Sequence, residues 1–163
     1  VRAIERITHL SPTIKWPNDV QLNGKKVAGI LIEGSHQASE DDYTVIGIGI
    51  NVNTHPGEIS TNLINTATSL RIETGNPVSR ELLLVHLLQE LDSLYAETQK
   101  GKFPITEWRE TVNTLGKRIE ILWGTRVYVG QATDVDNRGN LVLRLDNNST
   151  ITLPAGEVTL NRE

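Results

Sequence analysis

The stretch IKWPNDVQLNGKKVAGILIEG, residues 14–34, decides the fold of this chain. Asn23-Gly24 at its centre is the strongest short-range signal for a two-residue β-hairpin turn. The runs on either side, DVQL and KKVAGILIE, are rich enough in apolar and β-branched residues to pair as strands. Upstream, TIKW reads as a strand that stops at Pro17. A half-buried hairpin of this kind has little use for Asn18, Asp19, Lys25 and Lys26 unless each finds a partner, because burying an unpaired polar group is costly.

Outward from the hairpin, VRAIERITHL places Val1, Ile4, Ile7 and Leu10 at close to helical spacing. It has no N-cap in view and the chain opens without methionine, so the natural protein is expected to extend upstream. Downstream, the polar GSHQASEDD leads to YTVIGIGINVN, an apolar strand with glycines, and residues 54–66 read as a long loop. ATSLRIET is expected to be a short helix ending near Gly75. Ser79 caps a longer helix whose apolar stripe is expected at Leu84, Leu87, Leu88, Leu91, Leu94 and Tyr95, with Gly101 past its end. A third helix packs through Ile105 and Trp108. From Leu115 on, KRIEILW, TRVYVGQATDVD, NLVLRLD, STITLP and GEVTL are short alternating strands with turn residues between them. The fold class is therefore α+β. A partial mixed sheet with packed helices occupies residues 1–114, and an SH3-like β-barrel of roughly fifty residues occupies 115–163, with the boundary near 112–116.

Composition narrows the function classes. The 163 residues are 37% hydrophobic and 22% charged, as in a globular protein. Sixteen basic and twenty acidic residues give a net charge of -4 with no basic stripe, which argues against nucleic-acid binding by this chain. No apolar run approaches the roughly 20 residues that span a bilayer. There is no cysteine, and the four histidines are scattered, so no metal-ligand spacing is offered. A cytoplasmic location is expected. Nothing resembles a Ser-His-Asp arrangement, a paired-carboxylate site or a P-loop.

Three segments carry chemistry. In VIGIGINVN, Val45, Gly47, Gly49, Asn51 and Asn53 share one strand face. The two glycines leave bare backbone beside Asn51, which a flat ligand can approach, and the Asn51 amide is donor and acceptor in one plane, suited to an adenine edge. The alternative is that the glycines permit tight packing and Asn51 caps a turn. Strict alternation puts Lys26 on the face of Ala28, Ile30 and Ile32, its ammonium reaching a polar cavity where it can hold a phosphate or carboxylate. The alternative is a lysine snorkelling at the hairpin mouth, which is the better reading for Lys25. In WPND, Trp16 anchors the turn, while Asn18 and Asp19 project near Lys26. Asp19 orients that lysine or joins a Mg²⁺–phosphate site, or the pair is ordinary turn chemistry.

The order of these segments resembles the biotin-protein ligases, also called biotin–acetyl-CoA-carboxylase ligases or holocarboxylase synthetases. The matching strings are KWPND (residues 15–19), KKVAGILIE (25–33), GIGINVN (47–53), ATSL (67–70) and the closing GEVTL (156–160). The resemblance implies a class II synthetase-like fold and a two-step reaction. Biotin and MgATP give biotinoyl-5′-AMP, and the acyl group then passes to a lysine of a biotin carboxyl carrier protein domain. It implies that Lys26 is catalytic and binds the biotin carboxylate and adenylate phosphate, and that Gly29 lines the biotin pocket. Asn51 would bind adenine, with Asn18 on the nucleotide side, and Asp19 would lie near the reaction centre. A homodimer is also compatible with the family. The family's glycine- and arginine-rich loop lies upstream of WPND and is absent here, as is the winged helix of its regulatory members. The chain is thus expected to be the C-terminal part of a ligase and nearly inactive alone. The carboxylates of residues 39–42 match no fixed pattern, and Arg162 is one residue away from where many members carry a terminal arginine. The other readings are a lipoate–protein-ligase-like enzyme and a non-catalytic nucleotide- or carrier-binding module.

Overall fold

Asn23 and Gly24 both adopt positive φ, 49° and 76°, so the hairpin turn has the primed geometry that matches the twist of its strands. A computed structural model of the chain describes residues 1–34 and 43–160. The carboxylates of residues 39–42 and Arg162 lie outside the described residues.

The elements in chain order are α1 (Arg2–Thr8), β1 (Thr13–Lys15), β2 (Asp19–Leu22), β3 (Lys25–Gly34) and β4 (Thr44–Ile50). After a 3-10 turn (Pro56–Glu58) come α2 (Leu70–Thr74), α3 (Arg80–Thr98) and α4 (Ile105–Thr111). The last are β5 (Arg118–Trp123), β6 (Arg126–Val135), β7 (Leu141–Leu145), β8 (Thr150–Leu153) and β9 (Glu157–Leu160). The chain is α+β, and its contacts divide it into two units. One comprises Val1–Pro12 and Asn18–His86, the other Thr13–Pro17 and the chain from Leu87 on.

In the first unit, β2, β3 and β4 form an antiparallel ribbon, and residues 26 and 67 add a parallel bridge beside it. The ribbon is not regular. Val20 pairs with Ala28 but Gln21 pairs with Lys26, so Val27 is the extra residue of a β-bulge. Val20, Leu22, Val27 and Ala28 of this ribbon are buried, as are Ala3 and Ile4 of α1 and Leu70 of α2. Ser69 caps α2 by accepting the Ile72 N–H, and Gly75 ends it in the left-handed region. Ser79 likewise accepts the Leu82 N–H at the start of α3.

The apolar stripe expected on α3 is corrected. Leu83 is buried at 3% exposure, while Leu84, Leu88 and Tyr95 are 54%, 56% and 66% exposed. Leu87, Leu91 and Leu94 are half-buried, so the covered side runs through 83, 87, 91 and 94. Leucines surround this helix, so periodicity alone does not choose between faces one residue apart; packing does.

The second unit is built on an antiparallel sheet of order β8-β7-β6-β5-β9, the SH3-like module. Ile119 and Ile121 alternate with exposed Arg118 and Glu120, and they join Leu141, Leu143, Leu153 and Val158 in the core. Ala132 and Val135 both point inward although three residues apart, because β6 carries its own bulge between 132 and 134. Trp16 is 1% exposed in this core and donates its indole N–H to the Gly139 carbonyl at 2.9 Å. Ile14 bridges Val112, and the Trp16 amide donates to the Thr114 hydroxyl at 3.0 Å, so residues 14–16 are stitched to the lead-in of β5. On the surface, Arg118 grips Asp146 through two hydrogen bonds, which hold that carboxyl below the usual carboxylate range.

Candidate active site

The bulge at Val27 changes the reading of Lys26. Strict alternation grouped Lys26 with Ala28, Ile30 and Ile32. The extra residue instead turns Lys26 to the side of Gly29 and of Asp19, which is the cross-strand partner of Gly29. Lys26 Nζ lies 2.5 Å from Asp19 Oδ1, with the two side chains 47% and 24% exposed. A Cβ placed on Gly29 would meet Lys26 Cε and Nζ at 3.0 Å and Asp19 Oδ1 at 3.6 Å. The lysine stem therefore crosses bare backbone, and glycine at 29 makes the space for it.

The Lys26 main chain is held on both edges. On one it pairs with Gln21; on the other its N–H donates to Thr66 O at 2.7 Å and its carbonyl accepts the Thr68 N–H at 2.9 Å. The ammonium thus sits on a rigid support, while a carboxylate at 2.5 Å fixes its direction.

An open cavity of about 450 Å³ is lined by Asn18, Asp19, Lys26, Gly29 and Ile30 from the hairpin and by Gly47 and Gly49 of β4. Gly49 pairs with Gly29, and Gly47 with Leu31, so two strands present bare backbone side by side. A Cβ at Gly47 or Gly49 would meet nothing closer than 3.8 Å, so a side chain there would occupy the cavity rather than clash with the fold. Asn18 donates its side-chain amide to Ile30 O at 2.6 Å and accepts the Ile30 N–H on its main-chain carbonyl at 3.1 Å, extending the ladder. The cavity therefore joins one cation, one carboxylate, one amide and glycine backbone with apolar walls, the make-up of a small-molecule site.

Asn51 lies one residue past β4 and outside that lining. Its side chain donates to Thr68 O at 3.0 Å, and its main-chain N–H donates to Val27 O at 2.8 Å. Asn53, grouped with it by alternation, bonds the Val78 backbone at both ends of its amide, at 2.8 and 2.9 Å, and is occupied with holding the chain. Lys25 points elsewhere and donates to Ile64 O at 3.1 Å, tying the 54–66 loop to the hairpin. Thr68, which the sequence marked only as part of ATSL, is 1% exposed and its main-chain carbonyl receives the Asn51 amide, a contact that no side-chain pattern signals.

Among the described residues, no group of three or more His, Cys, Asp or Glu could hold a metal ion. Asp19, the carboxylate that lines the cavity, is paired with Lys26, and one carboxylate with water is a donor set that suits a Mg²⁺ ion carried by nucleotide phosphates. Among the described residues no helix is long and apolar enough to cross a membrane.

Known proteins share the fold and much of the sequence. A family model described as "Biotin/lipoate A/B protein ligase family" matches residues 2–51, which contain the whole Lys26 hairpin and β4. A second, "Biotin protein ligase C terminal domain", matches residues 114–160. The chain belongs to the biotin protein ligase family. It is 35% identical over 147 residues to the bifunctional ligase/repressor BirA of Bacillus subtilis, covering 88% of this chain and 45% of that protein. It is 32% identical over 147 residues to the biotin–[acetyl-CoA-carboxylase] ligase of Mycobacterium tuberculosis, covering 89% and 52%. The chain thus spans about half the length of the curated relatives it matches. Among solved structures, the Aquifex aeolicus biotin protein ligase in complex with biotin and ATP superposes with a TM-score of 0.84 at 27% identity. That match covers 99% of this chain and 67% of the Aquifex one.

Proposed function

We propose that this chain carries the Lys26-centred part of the active site of a biotin protein ligase. The enzyme joins biotin to ATP as biotinoyl-5′-AMP and transfers the biotinoyl group to a lysine of a biotin carboxyl carrier protein domain. The observation that carries the reading is Lys26, fixed by Asp19 over glycine backbone at the mouth of an apolar cavity. In the first step the biotin carboxylate attacks the α-phosphorus and pyrophosphate leaves. Two anionic groups approach one another, and Lys26 offsets their charge. In the second step the acceptor amine attacks the acyl carbon and AMP leaves, and the same ammonium meets charge developing on the carbonyl oxygen and phosphate. Asp19 positions Lys26, Gly29 lines the biotin side, and Asn18 and Asn51 serve the nucleotide. Mg²⁺ accompanies ATP. The setting is cytoplasmic, in keeping with the use of ATP. The exposed apolar side chains Leu31, Ile32, Val45 and Ile46 on the β3–β4 ribbon support a homodimer.

Two variants of the full-length protein test the reading. Asn51→Ala raises the KM for ATP by about 5- to 150-fold, the equivalent of 1–3 kcal/mol for an unpaired polar edge, and leaves the KM for biotin within twofold. Gly29→Ala pushes the lysine head aside without disturbing backbone. Its melting temperature stays close to wild type, while biotinoyl-AMP formation falls tenfold or more, because misplacing a reacting group by about 1 Å can cost 10²-fold. Pyrophosphate release and acceptor biotinylation report both. Unchanged ATP dependence in Asn51→Ala would remove the nucleotide half of the proposal.

A further inference from the structure

We infer that Glu73 is a positioning residue for the adenine-recognising amide, acting through Thr68. The inference rests on the reading of Asn51 as the group that meets adenine.

Thr68 is the node. Its N–H donates to the Lys26 carbonyl at 2.9 Å, and its own carbonyl accepts the Asn51 amide at 3.0 Å. Its hydroxyl donates to Glu73 Oε1 at 2.5 Å. The other carboxylate oxygen of Glu73 accepts the amide of Asn23, at the hairpin turn, at 2.6 Å. Glu73 on α2 therefore ties the turn that leads into Lys26 to the segment that holds Asn51.

The chemistry at Asn51 gives this clamp a consequence. A side-chain amide has two faces that a 180° flip exchanges, one donating and one accepting. A carbonyl can only accept, so Thr68 O keeps the NH₂ end of Asn51 on its side and fixes where Oδ1 points. An amide fixed in that way presents an acceptor and its remaining N–H in a set order. That order suits the amino donor and ring-nitrogen acceptor of adenine. Guanine offers the reverse order, a carbonyl acceptor and a ring N–H donor. Pairing with it would require the flip that Thr68 opposes. Without Glu73 the Thr68 hydroxyl, on a residue 1% exposed, loses its acceptor, and the segment must shift to find another.

The test is a steady-state ATP titration on the full-length protein, with GTP as the competing nucleotide and thermal melting as the folding control. Glu73→Ala is expected to raise the KM for ATP about five- to tenfold, the effect of one lost hydrogen bond of ordinary strength, and to narrow the preference for ATP over GTP. The kcat at saturating ATP and the KM for biotin stay within twofold. Glu73→Gln, which keeps an oxygen for Thr68 and can meet the amide of Asn23 once that exposed side chain turns over, stays within twofold of wild type throughout. Thr68→Val, isosteric and without the hydroxyl, reproduces Glu73→Ala if the latter proves too unstable to assay. In an Asn51→Ala background Glu73→Ala has no further effect on the ATP constant. A Glu73→Ala enzyme with an unchanged ATP constant, or one that adds its full effect in the Asn51→Ala background, overturns the inference. An Asn51→Ala enzyme that itself binds ATP normally overturns the underlying reading instead.

Discussion

Lys26→Ala lowers biotinoyl-AMP formation by on the order of 10²–10³-fold while the protein stays folded. The size follows from what the ammonium faces. In the adenylation step a carboxylate approaches a polyphosphate, and removing a preorganised cation from such a site costs about as much as removing an oxyanion-hole donor. The fold is spared because the Lys26 side chain is 47% exposed and its main-chain bonds to Thr66 and Thr68 do not depend on it. Asp19, 24% exposed, is left to water rather than to a sealed interior. Lys26→Arg is not expected to restore activity, since the planar guanidinium needs more width than the lane over Gly29 provides. Single-turnover measurement of pyrophosphate release, with melting temperature alongside, decides. A loss below about tenfold would move the catalytic charge to another residue.

Trp16→Ala has the largest expected effect on stability, about 3–5 kcal/mol, the cost of truncating a fully buried aromatic side chain. Trp16 is 1% exposed among Ile119, Leu141, Leu143 and Leu153, so alanine leaves a cavity that this sheet cannot close without moving strands. The Gly139 carbonyl also loses its indole donor at a turn where Gly139 has a φ of 81°. Trp16 belongs to the core of the second unit, whereas Asp19, three residues on, lines the cavity of the first. One short motif therefore serves a structural and a chemical end. Urea unfolding followed by tryptophan fluorescence measures the change, and Trp16→Phe, which keeps most of the volume, should lose less than half as much. A Trp16→Ala shift under about 1 kcal/mol would show that the core reorganises around the gap.

Much of this was legible in order and chemistry. The Asn23-Gly24 turn, the cap at Ser79 and the short strands after Leu115 come from local rules that need no partner. The amphipathic face of α3 was not, because leucines lie all round that helix and only neighbours decide which are covered. The position of Asn51 was half legible. Its place after the two glycines could be read, but the carbonyl that orients it comes from Thr68, seventeen residues away, and the carboxylate that steadies Thr68 from Glu73 on α2.

By itself the sequence determined the α+β class, the hairpin with its charged mouth, the bare-backbone strand and the family. Those rest on side-chain chemistry and short-range geometry, which every copy of such a sequence carries with it. The tertiary structure alone decided which face Lys26 occupies. A period of two holds only while each residue has one partner across the ladder. The extra residue Val27 breaks that count, and its own side chain goes into the core at 0% exposure. The lysine, expected beside Asp19 from the motif, consequently leaves the face of Ala28 for that of Gly29, a change no window of sequence can register, because a bulge is a mismatch between two strands and not a property of either.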